Sequence, residues 1–208
     1  MYVLAELTDV VCIPPYKFKN NPNEAIVTLL NDKLANRVLP DVGLCISVWQ
    51  VEKIGDPHLL PGNPGYQVLV NFSALVFRPF VDEVILGKIK SSTAEGLQLT
   101  VTFFDDIHVP VEQLPVPSIW DDVRSAWYWE YSDSPEEEAP KHKLYMNVGT
   151  LVRFRVVAER FVDKTPKPSS KISQTDDNEC DSSNAAPYSI VASLVDSGLG
   201  PLSWWSGN

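Results

Sequence analysis

The chain has 208 residues, of which 44% are apolar and 21% charged, and this composition excludes global disorder. It carries 17 Lys and Arg against 27 Asp and Glu, and the formal charge of −10 predicts repulsion of nucleic acid at long range. No stretch approaches the roughly 18 apolar residues that a membrane-spanning helix needs, so we expect no membrane partner. Three scattered cysteines predict neither a disulfide framework nor a zinc site, and they favour a reducing compartment such as the cytosol or the nucleus.

Residues 1–80 are predicted to form one α+β unit. Asn21 can cap a helix whose first position is Pro22, and the apolar residues that follow recur on one helical face. Pro40 is expected to end the helical region, and Gly55–Gly65 has turn chemistry throughout. We expect this helix to pack on an antiparallel sheet. Its strands are predicted at Tyr2–Asp9, Gly43–Ile54 and Tyr66–Phe77, and in the second of them Leu44, Ile46 and Val48 alternate with Cys45, Ser47 and Trp49.

Residues 81–208 are predicted to form an all-β unit. Five short strands are expected, at Glu83–Lys90, Leu97–Phe103, Ile107–Val109, Leu151–Ala158 and Tyr188–Leu194. In this order they predict a small closed barrel of the OB type. Two irregular stretches interrupt it: an acidic, Trp-rich insertion at 115–142, and a Ser- and Asp-rich insertion at 163–187 that we expect to be disordered.

Charge is distributed unevenly along this second unit. Residues 105–138 contain ten carboxylates against one arginine, whereas residues 141–171 contain eight basic residues against two acidic ones. The local excess of positive charge could hold a nucleic-acid backbone if a larger assembly presents it.

Several segments together resemble one known family. The segments IPPYKF, GLCISVWQVEKI and VFRPFVDEVILGKIKSSTAEGLQLTVTFFDDIHVP are similar to the larger stalk subunit of multisubunit RNA polymerases, and the similarity covers nearly the whole chain. The phrase FFDDI and the ending GLGPLSWW resemble the RNA polymerase III member of that family. The resemblance implies an N-terminal tip domain followed by a C-terminal S1-type OB barrel. A stalk subunit of another polymerase is the alternative within the same class.

The family resemblance implies a non-catalytic role in the nucleus without cofactors. Such a subunit pairs with a smaller helical subunit, docks its tip on the polymerase core and contacts emerging single-stranded RNA. In the polymerase III context it supports initiation on genes for transfer RNA, 5S ribosomal RNA and other short transcripts. One departure is Asn63-Pro64-Gly65, where relatives tend to carry Asp-Gly.

Two loops of the first unit are the candidates for docking to the polymerase core. The first is stiffened by two prolines and therefore loses little entropy on binding, and the second places adjacent leucines in a polar turn. The alternative for the first loop is that its prolines merely end a strand while Phe18 packs on the helix. The candidate residues are Pro14, Pro15, Tyr16, Lys17 and Phe18 in the first loop, and Leu59, Leu60, Pro61 and Gly62 in the second.

The barrel strands carry the candidates for RNA binding. OB folds bind single strands with basic side chains for phosphates and aromatic side chains for stacking. Strand alternation places one of Phe103 and Phe104 in the core, and the alternative for the basic residues is a merely solvated strand face. The candidates are Lys88, Lys90, Phe104, His108, Arg153 and Arg155.

The sequence gives less support to two other classes of function, a metal-dependent enzyme and a free-standing RNA-binding factor. The run from Asp105 to His108 could supply metal ligands to an enzyme. However, neighbouring side chains on an extended chain point to opposite sides, and no second cluster accompanies them. A free-standing S1-domain factor in translation or RNA decay should be basic overall, and this chain is acidic.

Five tryptophans fall into two clusters that we expect to bind the partner subunit. Aromatic residues are enriched at interface hot spots, and a small barrel does not need so many inside. The alternative is that the terminal pair only seals the bottom of the barrel. The candidates are Trp120, Trp127 and Trp129, and at the end of the sequence Trp204 and Trp205.

Overall fold

A computed structural model describes residues 1–19, 21–131, 142–162 and 186–205. These residues form two compact units, Met1–Pro79 and Phe80–Asn208. The insertion expected to be disordered lies outside the described residues except at its last two positions. In the described ranges no helix is long and apolar enough to cross a bilayer.

The first unit is an antiparallel sheet with one helix packed against it, which confirms the α+β prediction. In chain order the elements are β1 (Tyr2–Ile13), α1 (Pro22–Leu34), β2 (Arg37–Leu39), β3 (Gly43–Ile54), β4 (His58–Leu59) and β5 (Tyr66–Phe77). The strands are ordered β1-β5-β3-β2 in the sheet, and the short β4 pairs with β5. The two-residue strand β4 lies where only turns were expected.

Helix α1 begins where the sequence predicts and ends earlier. Asn21 Oδ1 accepts a hydrogen bond of 3.2 Å from the backbone N–H of Asn23, which caps the helix. Ile26 and Leu30 are fully buried in the core of the unit. The expected end at Pro40 is wrong, because Asn36 adopts a left-handed φ of 58° and the chain then enters β2.

Strand β3 departs from the expected alternation. Its register against β5 shifts three times, and each bulge adds one residue. As a result Cys45, Val48 and Val51 face the core at intervals of three, whereas Ile46 is only half-buried. The prediction that Ile46 would share a face with Val48 is therefore wrong. Trp49, beside the second bulge, is 66% exposed.

The second unit contains the five expected barrel strands, with their ends shifted by a few residues. The strands of this unit are β6 (Val84–Thr93), β7 (Gly96–Val101), β8 (Phe104–Pro110), β9 (Ser118–Asp121), β10 (Ala126–Tyr131), β11 (His142–Met146), β12 (Leu151–Phe161), β13 (Tyr188–Ser193) and β14 (Gly200–Pro201). Strands β6, β7 and β8 form an antiparallel meander, β12 pairs with β6 and β13, and β13 pairs in parallel with β8, which closes the barrel. This closure confirms the OB-type prediction.

Two connections in the barrel depend on local backbone geometry. The turn between β6 and β7 needs Gly96, since its φ is +145° and an added Cβ would lie 2.2 Å from the carbonyl oxygen of Val109. At the end of β12, the N–H of Val162 donates a hydrogen bond of 3.0 Å to the carbonyl of Pro187. This bond closes the β12–β13 connection at its base.

The described part of the Trp-rich insertion is not irregular. Strands β9, β10 and β11 form a three-stranded antiparallel sheet. Trp127 on β10 is 5% exposed, and its Nε1 donates a hydrogen bond of 2.8 Å to the carbonyl of Thr93 at the end of β6. The small sheet is therefore anchored to the barrel through a buried indole. Residues 132–141 lie outside the described ranges.

Candidate functional site

The two candidate docking loops of the first unit meet around one tyrosine. Tyr66, the first residue of β5, pairs with Ile13 on one side and with Leu59 on the other. The ring of Phe18 packs on the ring of Tyr66, with 5.2 Å between centroids. Tyr16 and Leu59 remain 76% and 77% exposed. The chain therefore places both loops at the same end of the sheet.

The first loop is held by backbone hydrogen bonds. Residues Pro15–Lys17 form a 3-10 turn, in which the N–H of Lys17 donates to the carbonyl of Pro14 at 3.0 Å. Phe18 is about half exposed although its ring contacts Tyr66, so the alternative of packing on the helix describes it poorly. A stiff loop with exposed aromatic groups suits docking, because little conformational entropy is lost on binding.

The second loop forms a tight turn in spite of its unusual sequence. The N–H of Asn63 donates to the carbonyl of Leu60 at 3.1 Å, and Asn63 Oδ1 accepts from the N–H of Gly65 at 3.0 Å. Gly62 has a φ of +85°, a conformation that favours glycine. The turn thus presents Leu59 and Leu60 to solvent.

An apolar cleft of about 400 Å³ opens beside these loops. It runs between the start of α1 and the β4–β5 pair, so Leu59 and Tyr66 belong to both the cleft and the loops. Its other apolar lining residues include Ile13, Pro22, Ile26 and Val68. Loops and cleft together form a continuous apolar candidate surface for docking.

The basic candidates for RNA binding lie on adjacent barrel strands. Lys88 and Lys90 are exposed on β6, where they alternate with the buried Ile89. On the neighbouring strand β12, Arg153 is exposed and Arg155 is half-buried. The register places Lys88 opposite Leu151, two residues from Arg153. These four residues, together with the exposed His108 on β8, are called the basic strip below.

The structure contradicts the choice of Phe104 as a stacking residue. Phe104 is 5% exposed, and its ring packs against that of Tyr188 in the barrel interior, with 5.5 Å between centroids. Phe103 is the exposed neighbour, at 43%. Thr102 adopts a positive φ of 38°, which interrupts the alternation of side chains between β7 and β8. As a result Phe103 points outward and Phe104 points into the barrel.

Hydrogen bonds and ion pairs already hold part of the basic strip. Lys90 Nζ lies 2.9 Å from Asp105 Oδ2, and Arg155 Nη1 lies 3.0 Å from Asp196 Oδ2. The hydrogen bond from Thr100, followed by that from Lys90, lowers the pKa of Asp105 below its ordinary value. Lys88 has no ion-pair partner among the described residues.

The sequence analysis did not identify the polar side chains of β7, the strand between β6 and β8. Gln98 and Thr100 point outward from β7, where the alternation of LQLTV could have identified them. Gln98 Nε2 donates to the carbonyl of Asp105 at 3.1 Å. A cleft of about 230 Å³ opens next to Gln98, and the polar residues Ser91, Asp106, His108 and Ser189 also contribute to its lining. In the described ranges, no three His, Cys, Asp or Glu side chains are grouped so as to hold a metal ion.

The two tryptophan clusters come together in the second unit. The rings of Trp129 and Trp204 contact each other, with 5.5 Å between centroids, and Trp127 packs against Trp120 at 5.6 Å. Trp127 is buried and anchors the small sheet, so it is not available as a partner contact. Trp205 is 47% exposed. One ring of the terminal pair therefore remains at the surface.

Comparison with known families matches consecutive parts of the chain to two family models. Residues 8–64 match the SHS2 domain found in the N terminus of Rpb7p/Rpc25p/MJ0397. Residues 83–205 match the model described as RNA polymerase III subunit Rpc25. An SHS2 domain followed by an OB-type barrel defines a class of RNA polymerase subunits.

Curated relatives are similar along the entire chain. DNA-directed RNA polymerase III subunit RPC8 of Bos taurus is 42% identical over 208 residues, with 100% of both chains covered. The subunits of the same name from Saccharomyces cerevisiae and Schizosaccharomyces pombe are 35% and 34% identical, with 99% of this chain and 100% of each relative covered. The chain belongs to the Rpc25 family of RNA polymerase III subunits.

Proposed function

We propose that the chain is the larger, non-catalytic stalk subunit of RNA polymerase III and works in the nucleus. It pairs with a smaller helical subunit and supports initiation on genes for transfer RNA, 5S ribosomal RNA and other short transcripts. The observation that carries this proposal is full-length similarity to RPC8 subunits, which covers 99% or more of this chain and 100% of each of two relatives.

The tip of the first unit docks on the polymerase core. Convergence of both loops on Tyr66 supports this role, because it gathers exposed apolar groups beside a cleft of about 400 Å³. Leu59 at the end of β4 and Leu60 in the turn that follows are 77% and 45% exposed, so their side chains contribute little to the stability of the isolated chain. Burial of such residues against a partner provides the hydrophobic contribution to docking.

The basic strip contacts emerging single-stranded RNA. OB folds bind oligonucleotides on their second and third strands, here β7 and β8, and His108 on β8 and the exposed ring of Phe103 between these strands lie on that face. The four cations lie on the first and fourth barrel strands, β6 and β12, where they can bind phosphates. Two of these four cations are paired with carboxylates, so affinity of the isolated chain for RNA is expected to be low. The polymerase raises the effective concentration of the transcript, which makes weak contacts useful.

Affinity purification of the tagged chain from native extract tests this function. The wild type should retain polymerase III core subunits and one small helical protein in equal amounts. Leu59→Asp with Leu60→Asp should lose the core subunits and keep the small partner. Val123→Asp is the matched control, since Val123 is an apolar residue 95% exposed in the second unit. Recovery of ribosomal or RNA-decay proteins in place of polymerase subunits would contradict the proposal.

A further inference from the structure

An aromatic cleft forms where two distant parts of the sequence meet. Trp129 and Tyr131 on β10 contribute one wall, and Trp204 and Trp205 contribute the other. The cleft has a volume of about 330 Å³, within the range of small-ligand sites, and Asp196 also lines it. We call it the aromatic cleft.

The rings of the aromatic cleft are held in place and remain accessible. Trp129 contacts Trp204 at 5.5 Å and Tyr131 at 5.3 Å between centroids. Trp205 Nε1 donates a hydrogen bond of 2.8 Å to the carbonyl of Leu199. Tyr131 and Trp205 are 41% and 47% exposed, so the cleft opens to solvent. Fixed flat rings lose little entropy when a ligand enters.

One buried donor on a residue that lines the cleft has no acceptor. Trp129 Nε1 is shielded from solvent and makes no hydrogen bond to any described residue. The indoles of Trp120, Trp127 and Trp205 all have acceptors, at 2.7, 2.8 and 2.8 Å. Buried N–H groups in native proteins are nearly always paired, and an exception needs an explanation. A carbonyl of an incoming segment, admitted by a small rotation of the ring, would supply the missing acceptor.

Charge and ring chemistry indicate which side chain enters. Asp196 places a carboxylate beside the aromatic rings, and Arg155 pairs with one of its two oxygens at 3.0 Å. The adjacent small sheet already pairs cations with rings in the same way: Arg124 lies 4.6 Å from the ring centre of Tyr145, and Lys143 lies 4.7 Å from that of Tyr128. Aromatic rings beside a carboxylate attract a cation and repel phosphate.

We propose that the aromatic cleft binds an arginine or lysine side chain carried by an extended segment of a partner protein. The cation lies against the rings and Asp196, and a backbone carbonyl of the segment accepts from Trp129 Nε1. Asp196 keeps one oxygen for Arg155, at 3.0 Å, and offers the other to the ligand. The inference rests on the proposed function, because it names the chemistry of a polymerase partner, but the cleft can be tested with the chain alone.

Indole N–H resonances of the full-length chain provide the test. The probes are short blocked Gly-Ser peptides with one central arginine, lysine, norleucine or glutamate, and oligouridylate represents RNA. The arginine and lysine peptides should shift the resonances of Trp129 and Trp205. Norleucine, which lacks the charge, should bind about tenfold more weakly. Glutamate and oligouridylate should leave both resonances unchanged.

Variants of the chain distinguish binding in the aromatic cleft from nonspecific binding to exposed aromatic rings. Trp205→Ala should weaken binding of the arginine peptide about tenfold, whereas Trp49→Ala removes an exposed ring of the first unit and should change nothing. Asp196→Asn should weaken the arginine peptide and spare norleucine. Equal affinity for arginine and norleucine, or oligouridylate shifting the same resonances, would overturn the inference. Loss of polymerase subunits in the purification experiment would overturn the stalk assignment and leave the peptide result intact.

Discussion

Lys90 Nζ lies 2.9 Å from Asp105 Oδ2, and Thr100 Oγ1 donates to the other oxygen of the same carboxylate. Lys90 on β6, which we expect to bind phosphate, is thus already paired with Asp105 on β8, two strands away. Lys90 and Asp105 are about half exposed, so their attraction is that of a surface pair, about 0.2–1 kcal/mol. RNA can displace the carboxylate, at a cost of this size.

Asp105→Asn should therefore strengthen binding of single-stranded RNA. Freeing Lys90 predicts a gain of about two- to fivefold and a slope of log affinity against log salt that is steeper by about 0.7. Fluorescence anisotropy with labelled oligouridylate measures both. Asp106→Asn is the control, since it removes the same charge without releasing Lys90. Because the pKa of Asp105 is lowered, acid frees Lys90 only below the ordinary carboxyl range.

The two lysines of β6 should differ in their contribution to RNA binding. Lys88 has no ion-pair partner among the described residues, whereas Lys90 is paired. Lys88→Ala is expected to cost more affinity than Lys90→Ala, and the two should become equal in the Asp105→Asn background. Replacing Lys88, Lys90, Arg153 and Arg155 together by alanine should flatten the salt dependence. If the fourfold variant binds single-stranded RNA with unchanged affinity, RNA does not bind the basic strip.

Neighbouring phenylalanines should separate folding from RNA binding. Phe104→Ala removes a ring packed on Tyr188 in the barrel core, and it should lower the free energy of unfolding by about 3–5 kcal/mol. Phe103→Ala should cost far less stability and weaken oligouridylate binding by the value of one stacked base, about 1–3 kcal/mol. Urea unfolding and anisotropy together measure the two effects. The reverse pattern would show that the orientations are exchanged.

Two cysteines of the first unit should react at very different rates. Cys12 is exposed, whereas Cys45 is fully buried between β3 and the helix, and burial raises the pKa of its thiol. In a Cys180→Ser background, a maleimide should label Cys12 rapidly and Cys45 only on unfolding. Mass spectrometry of the digested protein locates the label. Rapid labelling of Cys45 under native conditions would mean that the sheet opens locally.

The order of the barrel strands and the start of the helix could be predicted because their signals are local. Alternation along Leu151–Ala158 and capping by Asn21 need no knowledge of distant residues. The bulges of β3 have no such signal: Cys45, Val48 and Val51 share a face only because β3 carries one extra residue, relative to β5, between each of them. A pattern of period two cannot indicate a strand that is bulged three times.

The candidate sites also divide into features with a local sequence signal and features that depend on distant residues. The turns that carry the candidate docking residues could be predicted, because proline and glycine mark a turn directly in the sequence. The contact between Trp129 and Trp204 could not be predicted, since it depends on how the 74 residues between them fold. The orientation of Phe103 and Phe104 turned on one residue, Thr102, whose positive φ has no mark in the sequence.

The hydrogen bond from Val162 to Pro187 has a practical consequence for engineering. The backbone nitrogen of Val162 and the carbonyl oxygen of Pro187 lie 3.0 Å apart, so the two ends of the β12–β13 connection are held together. The barrel therefore requires only that these ends stay close. The free energy of closing a connection grows slowly with its length. A fluorescent protein or epitope inserted among residues 163–185 should therefore fold beside the barrel as an independent reporter, with the termini left native for assembly into the polymerase.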